Sequence, residues 1–548
     1  MQRRTFLLGA AAGAAAVGTI AQLTVREITP SIAYPGMREG HWLRDGGTLP
    51  APSGGEQRVG VAVLGAGVAG LSCAWQLARR GYRDFVVLTG PEFGGNASGG
   101  GAGDLAYPQG AHYLPLPSRA STHVRDMLAE FGVILDGAQT AYPYMDEAVV
   151  VHGLDERLLR NGRWEDELVP PGRTPAEQAQ HDAFFRYVEG LREAVGADGR
   201  KLFCIPLALS SRDAQWRALD NLTFKEWLLR QGYTSPALHW YLNYCCRDDY
   251  GAPHDRISAW FGLHYFCSRD GHASNAPDSA VLTWPNGLAR MVDYLRTSIT
   301  RHLGRSDWLL SGSAMRAREQ GSAVNVLVAD GFAASSASGR LATRTLRADR
   351  IVCAMPLFVA AYVVSDLPAY GYDHTVHQLP HAPWVVSNFT LQGFPHELEG
   401  APLAWDNVVY EGPGLGYVVS THQLIRVAPP PRTVFTAYQA VSASAPDEAR
   451  RWLAQADARA LRDQAAIDLL AAYGDGDFWR RAVRLDITVR GHAMATPAPG
   501  YLNNPALAAL READGRVLFA HSDLSGYSVF EEASWWGVRA ASRILGEA

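Results

Sequence analysis

Lysine is almost absent from this 548-residue chain: of its 50 basic residues, only Lys201 and Lys225 are lysines. This scarcity limits any mechanism that depends on an amine side chain. No run of basic residues occurs and the net charge is −5, so the composition does not indicate a nucleic-acid partner. The six cysteines form neither C-x-x-C nor C-x-x-C-H, so zinc, redox-disulfide and c-type haem sites lack support, and we predict no metal.

The N-terminus reads MQRRTFLLGAAAGAAAVGTIAQL, in which Arg3-Arg4 precedes an apolar stretch of small residues. This pattern is typical of a twin-arginine export signal, which we place at residues 1–30, and a disordered tail is the alternative. The stretch is too short and too rich in glycine and alanine for a membrane span. We therefore expect a periplasmic or exported protein, which would contact the membrane only if its signal stays uncleaved.

A strand-turn-helix pattern begins at Arg58, with an apolar run to Leu64 followed by Gly65, Gly67 and Gly70. The first glycine allows a tight turn, the second lets the backbone approach a pyrophosphate, and the third lets the helix pack closely on the strand. In this context, G-x-G-x-x-G predicts a dinucleotide-binding site at the helix N-terminus.

The next strand, Phe85–Leu88, ends differently from the usual fingerprint. The acidic residue expected there, which binds a ribose hydroxyl, is replaced by Thr89. Glu92 lies three residues further on and is a candidate substitute. The alternative is that Thr89 is an ordinary strand end and that the ribose is held by other groups.

Further strand patterns of the nucleotide-binding type occur near Ile351 and at Val517–Phe519, whereas the stretches between them have a different character. Residues 174–247, for example, are mostly helical in their apolar spacing. The length also favours more than one domain. The order predicts a nucleotide-binding domain assembled from three separated segments, with a substrate domain inserted twice.

Five stretches, in order and at plausible spacing, resemble the flavin-dependent amine oxidase superfamily, which includes monoamine, polyamine and L-amino acid oxidases. They are GAGVAGL at Gly65–Leu71, the Gly94-Gly95 pair, WPNGLARMVDYL at Trp284–Leu295, ADRIVCAMP at Ala348–Pro356, and GRVLFAHSDLSGYSVFEEASWWGVRAA at Gly515–Ala541.

The resemblance implies an α/β fold with a Rossmann-like FAD-binding domain built from three chain segments and an inserted α+β substrate domain. It also implies that FAD, buried between the domains, accepts hydride from a C–N bond. The boundaries we expect are 1–30 for the signal, 31–57 for a linker or arm, 58–130, 266–360 and 485–548 for the FAD-binding segments, and 131–265 and 361–484 for the substrate domain.

The chain also departs from the family in three places. The family commonly has arginine after the glycine pair, where this chain has Asn96. Many members hold a water beside the flavin with a lysine from the second substrate-domain segment, but residues 358–484 contain no lysine. The family's Gly-Glu or Gly-Asp after Phe-Ala is replaced by His521-Ser522, with Asp523 next.

Amine oxidation benefits from a base near the nitrogen, and histidine suits that task. We predict His492, Tyr417 and His521 as catalytic candidates, with His492 and Tyr417 on the substrate face and His521 and His112 beside the flavin. For each histidine, a structural role is the alternative. The residues predicted to bind the cofactor are Gly65, Gly67, Gly70, Glu92, Gly94, Gly95, Asn96, His112, Tyr113, Ser522 and Asp523.

Asp248-Asp249 form the clearest acidic pair in the sequence. With Glu531-Glu532 they are candidates for binding the distal ammonium of a polyamine. The alternative is a structural pair neutralised by neighbouring arginines.

The leading interpretation is an exported FAD-dependent oxidoreductase that oxidises a small amine, preferably a polyamine or primary amine. It would pass electrons to oxygen or to a periplasmic acceptor. Two alternatives stay open: a flavin-dependent desaturase or isomerase of an apolar lipid, similar to phytoene desaturases, and a non-catalytic flavin-binding protein.

Overall fold

The computed structural model describes residues 28–52, 55–153, 155–330, 342–424 and 426–547. The export signal predicted for residues 1–30 thus lies almost wholly outside the described residues. Within the described ranges, no helix has the combined length and apolarity needed to cross a bilayer.

A seven-stranded sheet forms the nucleotide-binding part of the molecule. Its strands come from distant parts of the chain, since Gln57–Leu64, Ala342–Cys353 and Val517–Phe519 lie side by side in parallel. The buried, Val-rich strand Gln57–Leu64 is the type expected in a parallel sheet covered on both faces. This arrangement confirms the predicted α/β class. The remaining strands of this sheet are Phe85–Leu88, Leu309–Leu310, Ser313–Gln320 and Ala323–Asp330.

Helix Val68–Arg79 covers this sheet and packs along the last helix, Phe530–Leu545. The two helices approach very closely, because a Cβ atom on Gly537 would lie 2.1 Å from the Ala69 carbonyl oxygen. Helix Ala289–Leu303 packs on the same fingerprint helix. The fingerprint helix is therefore packed against two other helices as well as against the sheet.

An eight-stranded sheet forms the second part. Its central strand His381–Gln392 is buried along nearly its whole length and pairs antiparallel with Arg432–Ala440 and Ala482–Ala495. Helices Pro446–Gln455 and Ala458–Tyr473 are also packed against this sheet. The other strands, in chain order, are Ser31–Ala33, Glu156–Arg160, Arg163–Glu165, Asp406–Val409 and Tyr417–Val419.

Other helices and short strands connect the two sheets. Pro236–Tyr250 and Ala259–Cys267 matter most for the site described below. The other helices of four or more residues are Met37–Arg44, Thr122–Glu130, Pro175–Arg192, Ala214–Arg217, Phe224–Arg230, Leu357–Val363, Asp475–Arg481 and Pro505–Glu512. The 3-10 turns are Gly95–Ala97, Leu207–Leu209, Ala218–Asn221, Leu367–Tyr370 and Ser522–Leu524, and the short strands are Gly99–Ala102, Leu105–Pro108, Tyr113–Pro115, Ile134–Asp136, Tyr144–Met145 and Val281–Thr283.

Candidate active site

The three fingerprint glycines meet different steric demands. Gly65 has φ +123°, and a Cβ atom there would lie 2.8 Å from the Ala354 carbonyl oxygen. A Cβ atom on Gly70 would lie 1.9 Å from the Gly65 carbonyl oxygen, so only glycine fits. A Cβ atom on Gly67 would meet nothing within 4 Å. Gly65 and Gly70 thus shape the turn, whereas Gly67 faces open space where a ligand can approach the backbone.

The second glycine loop lies against the first. The Gly94 N–H donates to the Ala66 carbonyl at 2.9 Å, and Gly94 bridges Gly67. The helix that begins at Val68 has no side-chain cap, so its first N–H groups and its positive end are directed toward this junction. A negatively charged diphosphate is the group that such a junction binds best. The residues present therefore fit the diphosphate of FAD, which Gly67 and the adjoining Gly94-Gly95 pair would hold.

The structure gives Thr89 and Glu92 other roles than ribose binding. The Thr89 hydroxyl donates to the Gly90 carbonyl at 3.1 Å and accepts from the Gly312 N–H at 3.2 Å. The Glu92 carboxylate accepts hydrogen bonds from both terminal nitrogens of Arg490, at 2.8 and 2.9 Å, and a further one from the Ser98 hydroxyl. The predicted contact between Glu92 and the cofactor thus finds no support in its position.

In the closing motif, Asp523 is a buried anion. Burial alone would raise its pKa, but the charges and hydrogen bonds of His521 and His381 hold that pKa well below its ordinary value. Its carboxylate also accepts the Leu357 N–H at 2.9 Å, and His521 Nδ1 lies 3.2 Å from the other carboxylate oxygen. Asp523 and His521 therefore stabilise the junction after strand Val517–Phe519. Ser522 is buried beside them.

A cavity of about 570 Å³ lies between the eight-stranded sheet and the helices above it. It is lined by aromatic, apolar and acidic side chains, together with two arginines. The lining includes His112, Tyr113, Glu156, Arg192, Tyr244, Asp248, Tyr265, Arg269, Asp278, Trp405, Asp406, Leu415, Val418 and Tyr438. No lysine lines this cavity.

The periodicity of strands and helices explains how these side chains meet. Glu156 and Asp406 are register partners on parallel strands, and Val418 is the antiparallel partner of Asp406, so all three face one side of the sheet. Tyr244 and Asp248 are four residues apart on helix Pro236–Tyr250 and share a face. The sheet supplies the floor of the cavity and the helix supplies a wall.

Three carboxyl groups make the cavity electrostatically unusual. Burial raises the pKa of Glu156 to about 7, with added repulsion from Asp155 and Glu167. Burial and the charge of Asp249 raise the pKa of Asp248 to about 7. Burial, followed by repulsion from Asp248 and Glu156, raises the pKa of Asp406 well above its ordinary value. None of these three forms an ion pair with any described residue, so they would gain from a bound cation.

Aromatic rings line the same space. His112 stacks on Tyr438 with ring centroids 4.2 Å apart, and it lies 5.6 Å from the ring of Trp405. Tyr113 meets Trp405 edge to face at 6.0 Å. Burial lowers the pKa of His112 to about 3, so this imidazole is neutral at ordinary pH. Electron-rich rings beside carboxyl groups favour a cationic ligand.

The arginine that lines the inner cavity is already neutralised. Arg269 donates to Asp249 at 2.8 Å and lies over the Tyr265 ring, with 4.2 Å between the guanidinium carbon and the centroid. Tyr527 donates to the other Asp249 oxygen at 2.7 Å. Of the predicted acidic pair, only Asp248 lines the cavity, whereas Asp249 is a structural partner of Arg269.

The predicted Glu531-Glu532 pair also lies away from the cavity lining. Glu532 accepts hydrogen bonds from the Leu207 N–H and the Ser525 hydroxyl, both at 2.5 Å. The Glu531 carbonyl accepts His123 Nε2 at 2.8 Å. Neither carboxyl group is placed to assist Asp248 in binding an ammonium ion.

The predicted site residues are divided by the structure. His112 and Tyr113 line the cavity. Tyr417 is fully buried on the sheet face opposite Val418, where it stacks on Phe435 and hydrogen-bonds Tyr473 at 2.5 Å. His492 stacks on Phe358 with centroids 4.5 Å apart. Neither His492 nor Tyr417 lines the cavity, so their predicted place on the substrate face finds no support in their positions. The role of His521 beside the flavin stays a prediction.

Sequence reasoning missed Glu156, Asp406, Trp405, Tyr438 and Arg269. A weak signal existed on the helical side, because Tyr244 and Asp248, like Tyr265 and Arg269, are four residues apart. No local signal existed for Glu156 and Asp406, because their strands are distant in the chain and are paired only in the folded structure.

Comparisons with known proteins agree with this architecture. The family model described as NAD(P)-binding Rossmann-like domain matches residues 63–131. Comparison with curated proteins finds no match. Wild-type putrescine oxidase bound to putrescine is a similar solved structure, with 15% identity, a TM-score of 0.62, and coverage of 90% of this chain and 100% of that one.

Two further solved structures are similar. Cyclohexylamine oxidase from Brevibacterium oxydans IH-35A has 18% identity and a TM-score of 0.60, covering 89% of this chain and 99% of that one. A CLA-producing fatty acid isomerase from P. acnes has 16% identity and a TM-score of 0.57, covering 88% and 98%. At these identities the likeness establishes the fold. The chain thus has a Rossmann-like dinucleotide-binding domain within the fold that flavin amine oxidases share.

Proposed function

We propose that this protein is an FAD-dependent oxidoreductase that oxidises a C–N bond of an amine, with a preference for diamines or polyamines. The observation that carries the proposal is the cavity lined by Glu156, Asp248 and Asp406, none of which forms an ion pair with a described residue, although Arg269 and Arg247 lie near enough to Asp248 to lower its pKa in part. Amine oxidases among the similar structures support the reaction class.

The chain's own residues account for binding and orientation. Ionised Glu156 and Asp248 attract an ammonium group, and the rings of Tyr438 and Trp405 contact its alkyl chain and positive charge. A carboxylate whose pKa is raised to about 7 is a stronger base than an ordinary carboxylate, so these are the groups that would take a proton from a bound ammonium ion. FAD, held at the glycine loops, supplies the hydride acceptor.

The electron acceptor is part of the same proposal. We propose either oxygen or a periplasmic electron carrier as the acceptor. The absence of lysine from residues 358–484, where the resemblance predicts one that holds a water at the flavin, favours the carrier. Slow flavin reoxidation in air, accelerated by an added carrier, would favour the second acceptor.

The decisive test is anaerobic bleaching of flavin absorbance in the purified protein against putrescine, longer polyamines, cyclohexylamine and amino acids. Rapid bleaching by diamines or polyamines is expected. Bleaching by amino acids alone would contradict the proposed substrate class. Bound flavin that no amine reduces would contradict amine oxidation itself.

A flavin-dependent isomerase or desaturase of an apolar lipid is the second candidate. The similar fatty acid isomerase favours it, as do the apolar residues Leu168, Leu415 and Val418 in the cavity lining. Its test is incubation of the holoprotein with unsaturated fatty acids, followed by product analysis. The unpaired carboxyl groups argue against it, since they would repel a fatty acid carboxylate.

The third candidate, a flavin-binding protein without catalysis, predicts no turnover with either substrate class.

We also propose that the protein is exported through the twin-arginine route. The support is the sequence Arg3-Arg4 ahead of an apolar stretch. Replacing both arginines with lysine should retain the protein in the cytoplasm, with measurement by cell fractionation. Unchanged distribution would contradict the proposal.

A further inference from the structure

Arg490 joins the two sheets next to the cofactor loops. It lies opposite Trp384 on strand Ala482–Ala495 of the eight-stranded sheet. Its two terminal nitrogens donate to the two carboxylate oxygens of Glu92, at 2.8 and 2.9 Å. The side chains are only 8% and 18% exposed, so this is a largely buried, bidentate ion pair.

The rest of the guanidinium is also occupied. Arg490 Nε donates to the Gln109 carbonyl at 3.0 Å, and Nη2 donates to the Ser98 hydroxyl at 3.0 Å and the Gly95 carbonyl at 3.3 Å. Nη1 reaches the Asn96 side-chain oxygen at 3.3 Å. A guanidinium has five N–H groups, and six acceptors surround this one. It therefore has no donor left for a phosphate and acts through the segments that it holds.

Those segments are the ones that flank the cofactor glycines and the cavity. An ideal Cβ on Gly95 would lie 3.5 Å from Gly67 Cα, so the second glycine loop directly borders the fingerprint. The Ala111 N–H donates to the Asn96 carbonyl at 2.8 Å, and a Cβ on Gly110 would lie 2.1 Å from that same oxygen. His112, which lines the cavity, directly follows Ala111. A shift of the Gly95 loop would thus be transmitted to the cavity wall.

We propose that Arg490 is a positioning residue for FAD, which fixes the Gly94–Gly95 loop from the substrate side of the molecule. Asn96 occupies the place where the resemblance predicts arginine, and Arg490 brings a guanidinium to the same loop from a strand almost 400 residues away. The inference depends on the proposed FAD binding, but it does not depend on the amine as substrate.

The test compares FAD release from wild-type holoprotein with release from Arg490→Lys and Glu92→Gln. Release is followed by flavin fluorescence after dilution, below the melting temperature of every variant. Lysine keeps the positive charge but cannot form the bidentate hydrogen bonds of the guanidinium, so we expect FAD release to be about tenfold faster or more. Glu92→Gln keeps the shape and should also accelerate release. Arg484→Lys, on the same strand but in a more exposed pair with Asp486, is the matched control and should stay within about twofold.

Melting temperatures measured in parallel separate positioning from general stability. Lower melting temperatures with wild-type FAD release would overturn the proposal. If Arg490→Lys does not fold, Glu92→Gln decides the outcome. Wild-type protein without bound flavin would contradict the proposed cofactor and this inference together, whereas flavin that all variants retain equally contradicts the positioning role alone.

Discussion

Glu156 and Asp406 lie directly opposite each other on neighbouring parallel strands, with both side chains facing the same cavity. Like charges in facing positions destabilise a sheet, and burial adds to that cost. No described cation neutralises the two groups. Burial and the neighbouring acids raise the pKa of Asp406, and a bound ammonium would favour ionisation of the pair, which makes it a natural binding site for a cationic substrate.

We expect Glu156→Gln and Asp248→Asn each to weaken binding of a diamine strongly. Loss of a hydrogen bond between charged groups in a buried site costs about 1.5 to 3 kcal/mol, which corresponds to a rise in KM of about ten- to a hundredfold. A monoamine should be affected much less. The measurement is KM for putrescine and for a monoamine of equal length.

The matched control for these variants is Asp278→Asn. Asp278 also lines the cavity, but it is 63% exposed and already pairs with His272 at 2.6 Å. Its replacement should change KM by less than about threefold. Equal effects of all three substitutions would contradict a specific ammonium site.

Cation binding should strengthen as the pH rises through about 7. The pKa values of Glu156 and Asp248 are raised to about 7, so both groups are largely protonated at pH 6 and largely ionised at pH 8. A bis-quaternary ammonium competitor has a charge that does not depend on pH. Its inhibition constant should fall about tenfold between pH 6 and pH 8. A constant value across this range would refute the assigned protonation states, and Asp248→Asn should flatten the profile.

The stability of the Asp406→Asn variant relative to that of the wild type should increase as the pH rises. Because the pKa of Asp406 is raised, the folded protein binds a proton that the unfolded chain has already lost, and stability therefore falls as pH increases toward the folded-state pKa. Asparagine removes that penalty. Thermal denaturation from pH 5 to pH 9 should show the melting temperature of the variant gaining on that of the wild type. A pH-independent difference would argue against an uncharged Asp406.

Two alanine substitutions in the fingerprint should have different consequences. Gly70→Ala places a methyl group against the Gly65 carbonyl and should destabilise the fold by about 3 kcal/mol. Gly67→Ala meets no protein atom, so stability should be preserved while FAD affinity falls about tenfold or more. Urea denaturation and flavin content measure the two effects. Gly190→Ala, also without steric conflict, is the control: it should leave flavin content unchanged and, because it lies in helix Pro175–Arg192, raise stability by up to about 1 kcal/mol.

The cofactor half of the molecule could be predicted because its signals are local. Gly65, Gly67 and Gly70 are close in sequence: the first and the third have steric reasons for being glycine, and Gly67 leaves the backbone open to a ligand. Even there, the sequence presents Glu92 as a candidate for ribose binding, because its partner Arg490 is distant in the chain and the sequence does not show their pairing.

The substrate half was predicted less well, for a related reason. Asp248-Asp249 stood out as adjacent acids, but only the fold shows that Arg269 and Tyr527 bind Asp249 and leave Asp248 facing the cavity. Tyr417 was selected on its segment, yet strand periodicity directs Val418 rather than Tyr417 toward the cavity. Glu156 and Asp406 depend on strand register, which adjacent residues do not specify.

The floor of the cavity also bears on how the chain folds. Strands Glu156–Arg160 and Asp406–Val409 are joined by Arg157 and Asn407, which are 250 residues apart and hydrogen-bonded at 2.6 Å. During synthesis, Glu156 leaves the ribosome long before Asp406, and the nucleotide-binding strand Ala342–Cys353 emerges between them. The two carboxyl groups therefore meet late, after much of the nucleotide-binding sheet can form. The free-energy cost of burying them together should consequently speed unfolding more than it slows folding.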